Sequence, residues 1–199
     1  MEPIRLNRRS FAGLGLGLGA YALAGAPAFA AAEELGPPIG AKALDIGTPQ
    51  DQTGKKRTLD SLMGDKGVVL FFFRSASWCP FCQAQMMDLN TGVADILKRG
   101  YKLAGISYET PEKQAAFIER RAIKYDLLCD PGSVVIDRWG LRDPQYKSDS
   151  FAYGVPRPII FVIDRKGVIR AKLYEETYTK RPPVGLVIET LDKLAKQGA

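Results

Sequence analysis

Val68-Val69-Leu70-Phe71-Phe72-Phe73 runs through Arg74-Ser75-Ala76-Ser77 into Trp78-Cys79-Pro80-Phe81-Cys82. The unbroken β-branched, aliphatic and aromatic run has the character of a strand buried on both faces, at the centre of a sheet rather than its edge. Pro80 suits the first turn of a helix, and Cys82, Met86, Leu89, Val93, Ile96 and Leu97 then recur at spacings of three and four until Gly100. The two thiols of the C-x-x-C therefore stand at a strand's exit and a helix's start. Unpaired N–H groups and the positive end of the helix dipole favour thiolate there, and can pull a cysteine well below its ordinary pKa of about 8.5.

Beyond this helix, residues 101–108 predict the next strand, and Thr110 with Pro111 and Glu112 predicts the N-cap of a helix running to about Lys124. That β-α-β order implies a parallel pair. Residues 159–163 and 168–173 predict an antiparallel hairpin across Asp164-Arg165-Lys166-Gly167. Val184, Val187, Ile188, Leu191, Leu194 and Ala195 form the apolar stripe of a terminal helix. On the N-terminal side, residues 42–46 and 55–59 flank the turn-forming Asp51-Gln52-Thr53-Gly54 and predict a hairpin, and residues 61–65 predict one helical turn. Trp139 is expected in the core.

Residues 1–30 have charged, apolar and small-residue regions in the order of an export signal. Arg8-Arg9-Ser10-Phe11 resembles a twin-arginine signal, with Asn7 and Ala12 departing from its consensus, and Ala28-Phe29-Ala30 fits an A-x-A cleavage site. The expectation is a signal peptide over 1–30, a flexible lead-in over 31–40 and a single domain over 41–199, exported to the bacterial periplasm and with no stable membrane insertion once the signal is cleaved. Gly13-Leu14-Gly15-Leu16-Gly17 imitates a nucleotide-binding loop, but no strand precedes it.

The chain has 3 cysteines and no histidine. Haem attachment fails because Gln83 follows Cys82; the usual Cys/His zinc sites and Cys–His or Ser–His catalysis fail for want of ligands or base. No metal or cofactor is expected. The formal charge of +6 falls when Glu2, Arg5, Arg8 and Arg9 leave with the signal, and the remaining basic residues are interspersed with acids, so nucleic acid is not an expected partner. What remains is thiol redox chemistry, in which the cysteines carry the electrons.

Strand, C-x-x-C helix, strand, helix, hairpin, helix is the order of the thioredoxin fold. With Asp51-Gln52-Thr53-Gly54 and Leu59, Leu127-Leu128-Cys129-Asp130-Pro131, and Pro158 to Asp164 with Gly167, the chain resembles the AhpC/TSA (redoxin) family of alkyl hydroperoxide reductases and thiol-specific antioxidants, together with exported thiol-disulfide oxidoreductases. The resemblance implies an α/β, thioredoxin-like fold: a central mixed sheet flanked by helices, with an N-terminal β-hairpin extension. It also implies that Cys79 attacks and Cys82 resolves the mixed disulfide. Trp78, Pro80, Phe81, Arg157 and Pro158 would contact substrate, with Pro158, in preference to Pro156, as a cis-proline opposite the cysteine.

The leading expectation is a thiol-disulfide oxidoreductase, acting on protein or small-molecule disulfides and paired with an external thiol reductant or oxidant. The alternative within the fold is a thiol peroxidase reducing hydroperoxides through Cys79. Peroxiredoxins share the pattern P-x-x-x-T/S-x-x-C, and counting from Cys79 puts Phe72 at its proline and Ala76 at its hydroxyl, so that hydroxyl is missing. Arg74 or Arg157 remains available as a guanidinium beside the thiolate. A redox-inert binding module is the alternative of another class. Cys129 is expected to be a small buried side chain.

Overall fold

The computed structural model describes residues 35–198; the expected signal peptide lies outside them. The apolar run forms β2 (Gly67–Phe72), every residue of which is buried. It lies between β3 (Tyr101–Ser107), which is parallel to it, and β5 (Ile159–Asp164), which is antiparallel. With β1 (Gln50–Asp51), β4 (Asp126–Cys129) and β6 (Ile169–Leu173), the sheet order is β1-β4-β3-β2-β5-β6. This is a mixed sheet of the thioredoxin type, as expected.

Alternation along β2 divides the core in two. Val69, Phe71 and Phe73 pack with Met86, Leu89 and Ile96 from α1 (Pro80–Thr91) and α2 (Val93–Lys98), Phe117 of α3 (Pro111–Arg121), and Val187, Leu191 and Leu194 of α5 (Val184–Lys196). On the opposite face Val68, Leu70 and Phe72 pack with Leu62, Phe161, Ile136 of α4 (Val134–Arg138) and Trp139. Trp139 is core, its ring 5.2 Å from Phe72 and 5.1 Å from Phe161. Burying each such aromatic side chain contributes about 1.5–3 kcal/mol relative to leaving it exposed. Gly67 opens β2 at φ +149°, and a Cβ there would lie 1.9 Å from the Ile163 carbonyl oxygen. No other residue fits between β2 and β5.

Several local expectations differ from the structure. The helix expected to run unbroken to Gly100 is divided at Gly92, where a Cβ would meet Val184 Cγ2 at 2.3 Å. The close approach of α5 thus requires glycine at a point where glycine also weakens the helix, and Leu97, expected on the apolar face, is exposed. Likewise α3 ends at Arg121 because Ala122 turns left-handed, at φ 49°.

The N-terminal hairpin is narrower than expected. Residues 42–46 and 55–59 do not pair with each other; Lys42 bridges to Val168, while Gln50 bridges to Lys56 and pairs with Cys129. Asp51, expected in the turn, is a fully buried strand residue. Its Oδ1 accepts the Thr53 and Lys55 N–H groups (2.8 and 3.0 Å), and Oδ2 takes Arg57 Nε at 2.7 Å. Burial pushes its carboxyl up, but the Thr53 hydroxyl, Arg57 and the two N–H groups together hold it below the usual carboxylate range.

The lead-in expected to be flexible is packed from Leu35 onward. Leu35 is buried, Gly36 lies against Phe161, Gly40 N–H donates to Ile169 O (2.8 Å) and Ala43 N–H to Gly167 O (2.8 Å). Covering the β6 side with these bonds satisfies groups that an open sheet edge would expose. No helix among the described residues is long and apolar enough to cross a membrane.

Candidate active site

The loop from β2 to α1 is tied down by a carboxylate. Glu109, 3% exposed, accepts Ser75 Oγ (2.7 Å), Ala76 N (2.6 Å), Ser77 N (3.3 Å) and the Ser77 hydroxyl. Ser75 Oγ in turn accepts the Ser77 and Trp78 N–H groups at 2.9 Å each. Gln83 Nε2 reaches back to Ala76 O at 2.8 Å. The motif is therefore held from β3's end and from α1, and its conformation does not depend on local propensity alone.

Cys79 is the N-cap of α1, with Pro80 in the first turn. Its Sγ accepts the Cys82 N–H at 3.3 Å, in the role usually played by a Ser or Thr hydroxyl. Both cysteines are free thiols, Cys79 2% exposed and Cys82 wholly buried. Arg181 Nη2 lies 3.5 Å from Cys82 Sγ. Burial pushes the Cys82 thiol up, but the Cys79 thiol, the Arg181 guanidinium and the Ser75 backbone N–H favour its thiolate more, and it is lowered below the ordinary cysteine value. Cys79 moves the other way, first because its thiol donates to Cys82 and then because it is buried. The two sulfurs titrate as one unit, and Cys82 is the one that faces the Arg181 guanidinium.

Aromatic rings surround this pair. Trp78 donates its indole N–H to Tyr108 Oη (3.1 Å) and meets Phe151 edge-on at 5.1 Å. Phe81, partly exposed beside the exposed Pro80, meets Tyr178 edge-on at 6.1 Å. Arg74 is buried; its guanidinium lies 4.1, 4.8 and 5.5 Å from the Tyr178, Tyr146 and Trp78 rings and donates to the Tyr146 hydroxyl. It is a cation–π hub rather than a partner of the thiolate.

Pro158 precedes Ile159, which pairs with Phe72 at the exit of β2, so Pro158 stands at the same end of the sheet as the dithiol. The Arg157 N–H donates to Leu141 O at 2.7 Å. The expected cis-proline is corrected: no cis peptide occurs among the described residues, and Pro156 and Pro158 both follow the trans bonds that X–Pro ordinarily favours. Arg181, which lies beside Cys82 Sγ, is not among the arginines named from the sequence. It lies 99 residues from Cys82, ahead of Pro182-Pro183, with no motif to single it out. Glu109 had no sequence signal either.

Cys129, at the end of β4, borders a cavity of about 310 Å³ with Ile46, Pro49, Pro111 and Pro131. Burial pushes its thiol up to about 12, so it is protonated at neutral pH. A small buried side chain describes it well.

The sequence model of the AhpC/TSA family matches residues 39–172. Peroxiredoxin Bcp of Escherichia coli K12 is 29% identical over 119 residues, covering 60% of this chain and 74% of that protein. The chloroplastic peroxiredoxin Q of Sedum lineare is 27% identical over 147 residues, 74% of each chain. The crystal structure of peroxidoxin BcpB from Mycobacterium tuberculosis superposes with a TM-score of 0.65 at 26% identity, covering 79% of this chain and 96% of that one. With the fold, the strand-exit dithiol and the family's match across two thirds of the sequence in agreement, this chain belongs to the AhpC/TSA family.

Proposed function

We propose that the protein is a thiol-dependent peroxidase, in which the Cys79–Cys82 dithiol reduces hydroperoxides and an external thiol regenerates it. The observation that carries this reading is the burial of both sulfurs side by side: a small hydroperoxide is a better match for such a site than a disulfide on a folded protein. The similarity to peroxiredoxins supports it.

Counting the peroxiredoxin pattern from Cys82 rather than Cys79 puts Cys79 at the hydroxyl position and Ser75 at the proline position. The hydroxyl missing in the first register is then replaced by a sulfur, which already accepts the Cys82 N–H. In the proposed reaction the Cys82 thiolate attacks one peroxide oxygen, the O–O bond breaks, and an alcohol leaves with one proton. Cys79 then attacks the resulting sulfenic acid, releasing water and forming the Cys79–Cys82 disulfide. The sum is one hydroperoxide and two thiols converted to alcohol, water and disulfide. A second reading, thiol–disulfide exchange, draws support from Phe81, which stands partly exposed beside the pair as a contact for a larger substrate.

Stopped-flow oxidation of the reduced protein by hydrogen peroxide, an organic hydroperoxide and a model protein disulfide separates them. Faster reaction with either hydroperoxide is expected; a faster reaction with the disulfide would move exchange to first place.

We also propose export through the twin-arginine route, on the strength of Arg8-Arg9 and Ala28-Phe29-Ala30. Fractionation of a bacterial host should find the processed full chain in the periplasm and the Arg8→Lys/Arg9→Lys variant retained inside. An unaltered chain that stays inside would refute it.

A further inference from the structure

Arg74, at the exit of β2 on the loop that leads to Cys79, is 3% exposed. Its Nη2 donates to the Tyr146 hydroxyl, whereas Nε and Nη1 are buried and make no hydrogen bond among the described residues. No carboxylate of those residues pairs with it. Glu109, the acid next to Tyr108, is already taken up by Ser75, Ala76 and Ser77. The Trp78, Tyr146 and Tyr178 rings face the guanidinium, but cation–π attraction recovers only part of what a cation loses on leaving water. A buried positive charge with unpaired donors is the electrostatic counterpart of an anion.

One wall of this cage is built to yield. Tyr146 is half-buried in residues 143–154, a segment of turns with neither helix nor strand. The segment is tied back by Asp143 N–H to Val155 O (2.9 Å) and by Tyr108 Oη to Phe151 O (3.5 Å). Turning the Tyr146 ring aside opens the guanidinium to solvent, while Trp78 keeps its bond to Tyr108. Apolar surface lies beside the opening: Phe151 is 78% exposed and Phe81 40%.

We infer that Arg74 is a binding residue for a carboxylate, and that this carboxylate belongs to the hydroperoxide substrate. The substrate class is an amphipathic acid of the fatty-acid hydroperoxide kind, with its charge at Arg74 and its chain against Phe151 and Phe81. A carboxylate is planar and carries one charge, which suits a single guanidinium between flat rings; the second charge of a phosphate would stay unbalanced. The inference rests on the peroxidase reading for the substrate, though not for the anion site.

Binding is measured first, on the reduced full chain, by intrinsic tryptophan fluorescence with octanoate and, as its neutral analogue, octan-1-ol. Octanoate should bind about tenfold more tightly. Arg74→Gln should remove the difference, and Arg74→Lys, which keeps the charge but not the planar donors, should retain part of it. Equal binding of the two probes by the unaltered protein overturns the anion site.

Turnover is measured next, with linoleic acid hydroperoxide and its methyl ester below micelle-forming concentrations. The acid should be favoured about tenfold in kcat/KM, through KM, with the acid-to-ester ratio falling toward one in Arg74→Gln. Octanoate binding with no preference for the acid overturns the substrate assignment. Octanoate binding with neither hydroperoxide consumed overturns the peroxidase reading and upholds the anion site. A carboxylate also comes with thiol reductants, so reduction of the oxidised protein by glutathione and by its ethyl ester is compared. Their rate ratio should be the same in Arg74→Gln; a ratio that shifts assigns the carboxylate to the reductant and overturns the substrate.

Discussion

Cys82→Ser is expected to abolish oxidation of the protein by hydroperoxide, a loss on the order of 10³-fold or more. Cys79→Ser is expected to retain the first oxidation and lose turnover. The reasoning is electrostatic and local. The Cys79 thiol, Arg181 and the Ser75 N–H all act on Cys82 Sγ, and together they outweigh its burial and lower it. Cys79 instead donates its thiol to Cys82 and is buried, which raises it above its ordinary value although its Sγ accepts the Cys82 N–H. Replacing Cys79 by serine keeps an acceptor for the Cys82 N–H and supplies the hydroxyl that the peroxiredoxin pattern has three residues before its cysteine. What it removes is the second sulfur, so the oxidised Cys82 stops at sulfenic acid.

Mass spectrometry after one equivalent of peroxide, with a sulfenic-acid trap, distinguishes the two. Adduct on Cys82 in Cys79→Ser, and none in Cys82→Ser, is the expected result. The reverse pattern would restore Cys79 as the attacking thiol, the assignment that the family resemblance alone implies.

Glu109→Ala is expected to destabilise the fold by about 2–4 kcal/mol, the largest effect of a residue that does not touch either sulfur. Its buried carboxylate accepts two hydroxyls and two backbone N–H groups of Ser75, Ala76 and Ser77. Removing it takes the acceptor from the buried Ser75 hydroxyl and the buried Ala76 N–H. The same loop presents the Ser75 N–H that favours the Cys82 thiolate, so loss of stability should come with a higher Cys82 alkylation midpoint. Glu109→Gln keeps acceptor capacity but loses the charge, and should fall between. Chemical denaturation with urea measures the first effect and iodoacetamide the second; a change under about 0.5 kcal/mol for Glu109→Ala, the range of an ordinary surface substitution, would remove Glu109 from this role.

Much of the fold is written in short-range pattern. The run ending in Phe73 reads as a central strand because apolar residues on both faces have nowhere to go but between two layers. Pro80 at the first turn and two cysteines one turn apart require only helix geometry. The α5 stripe and the β5–β6 hairpin follow equally from periodicity and turn chemistry. Where sequence and structure part, a distant segment intervenes. Gly92 divides the helix because Val184 lies against it, and Asp51 is buried because Arg57, Thr53 and Lys55 converge on its carboxylate. The lead-in is packed because Phe161 and Ile169 receive it.

The active site divides along the same line. The sequence by itself determined where the thiols are, that they form a pair, and that histidine and the usual Cys/His metal sites take no part. Only the tertiary structure decided which sulfur faces a guanidinium and what braces its loop. That depends on a guanidinium 99 residues away reaching Cys82 and a carboxylate more than 30 residues away bracing the loop. Periodicity and capping act within a few residues and leave a trace in the sequence; an electrostatic field acts through space, and its sources are known only once the sheet order has brought them together.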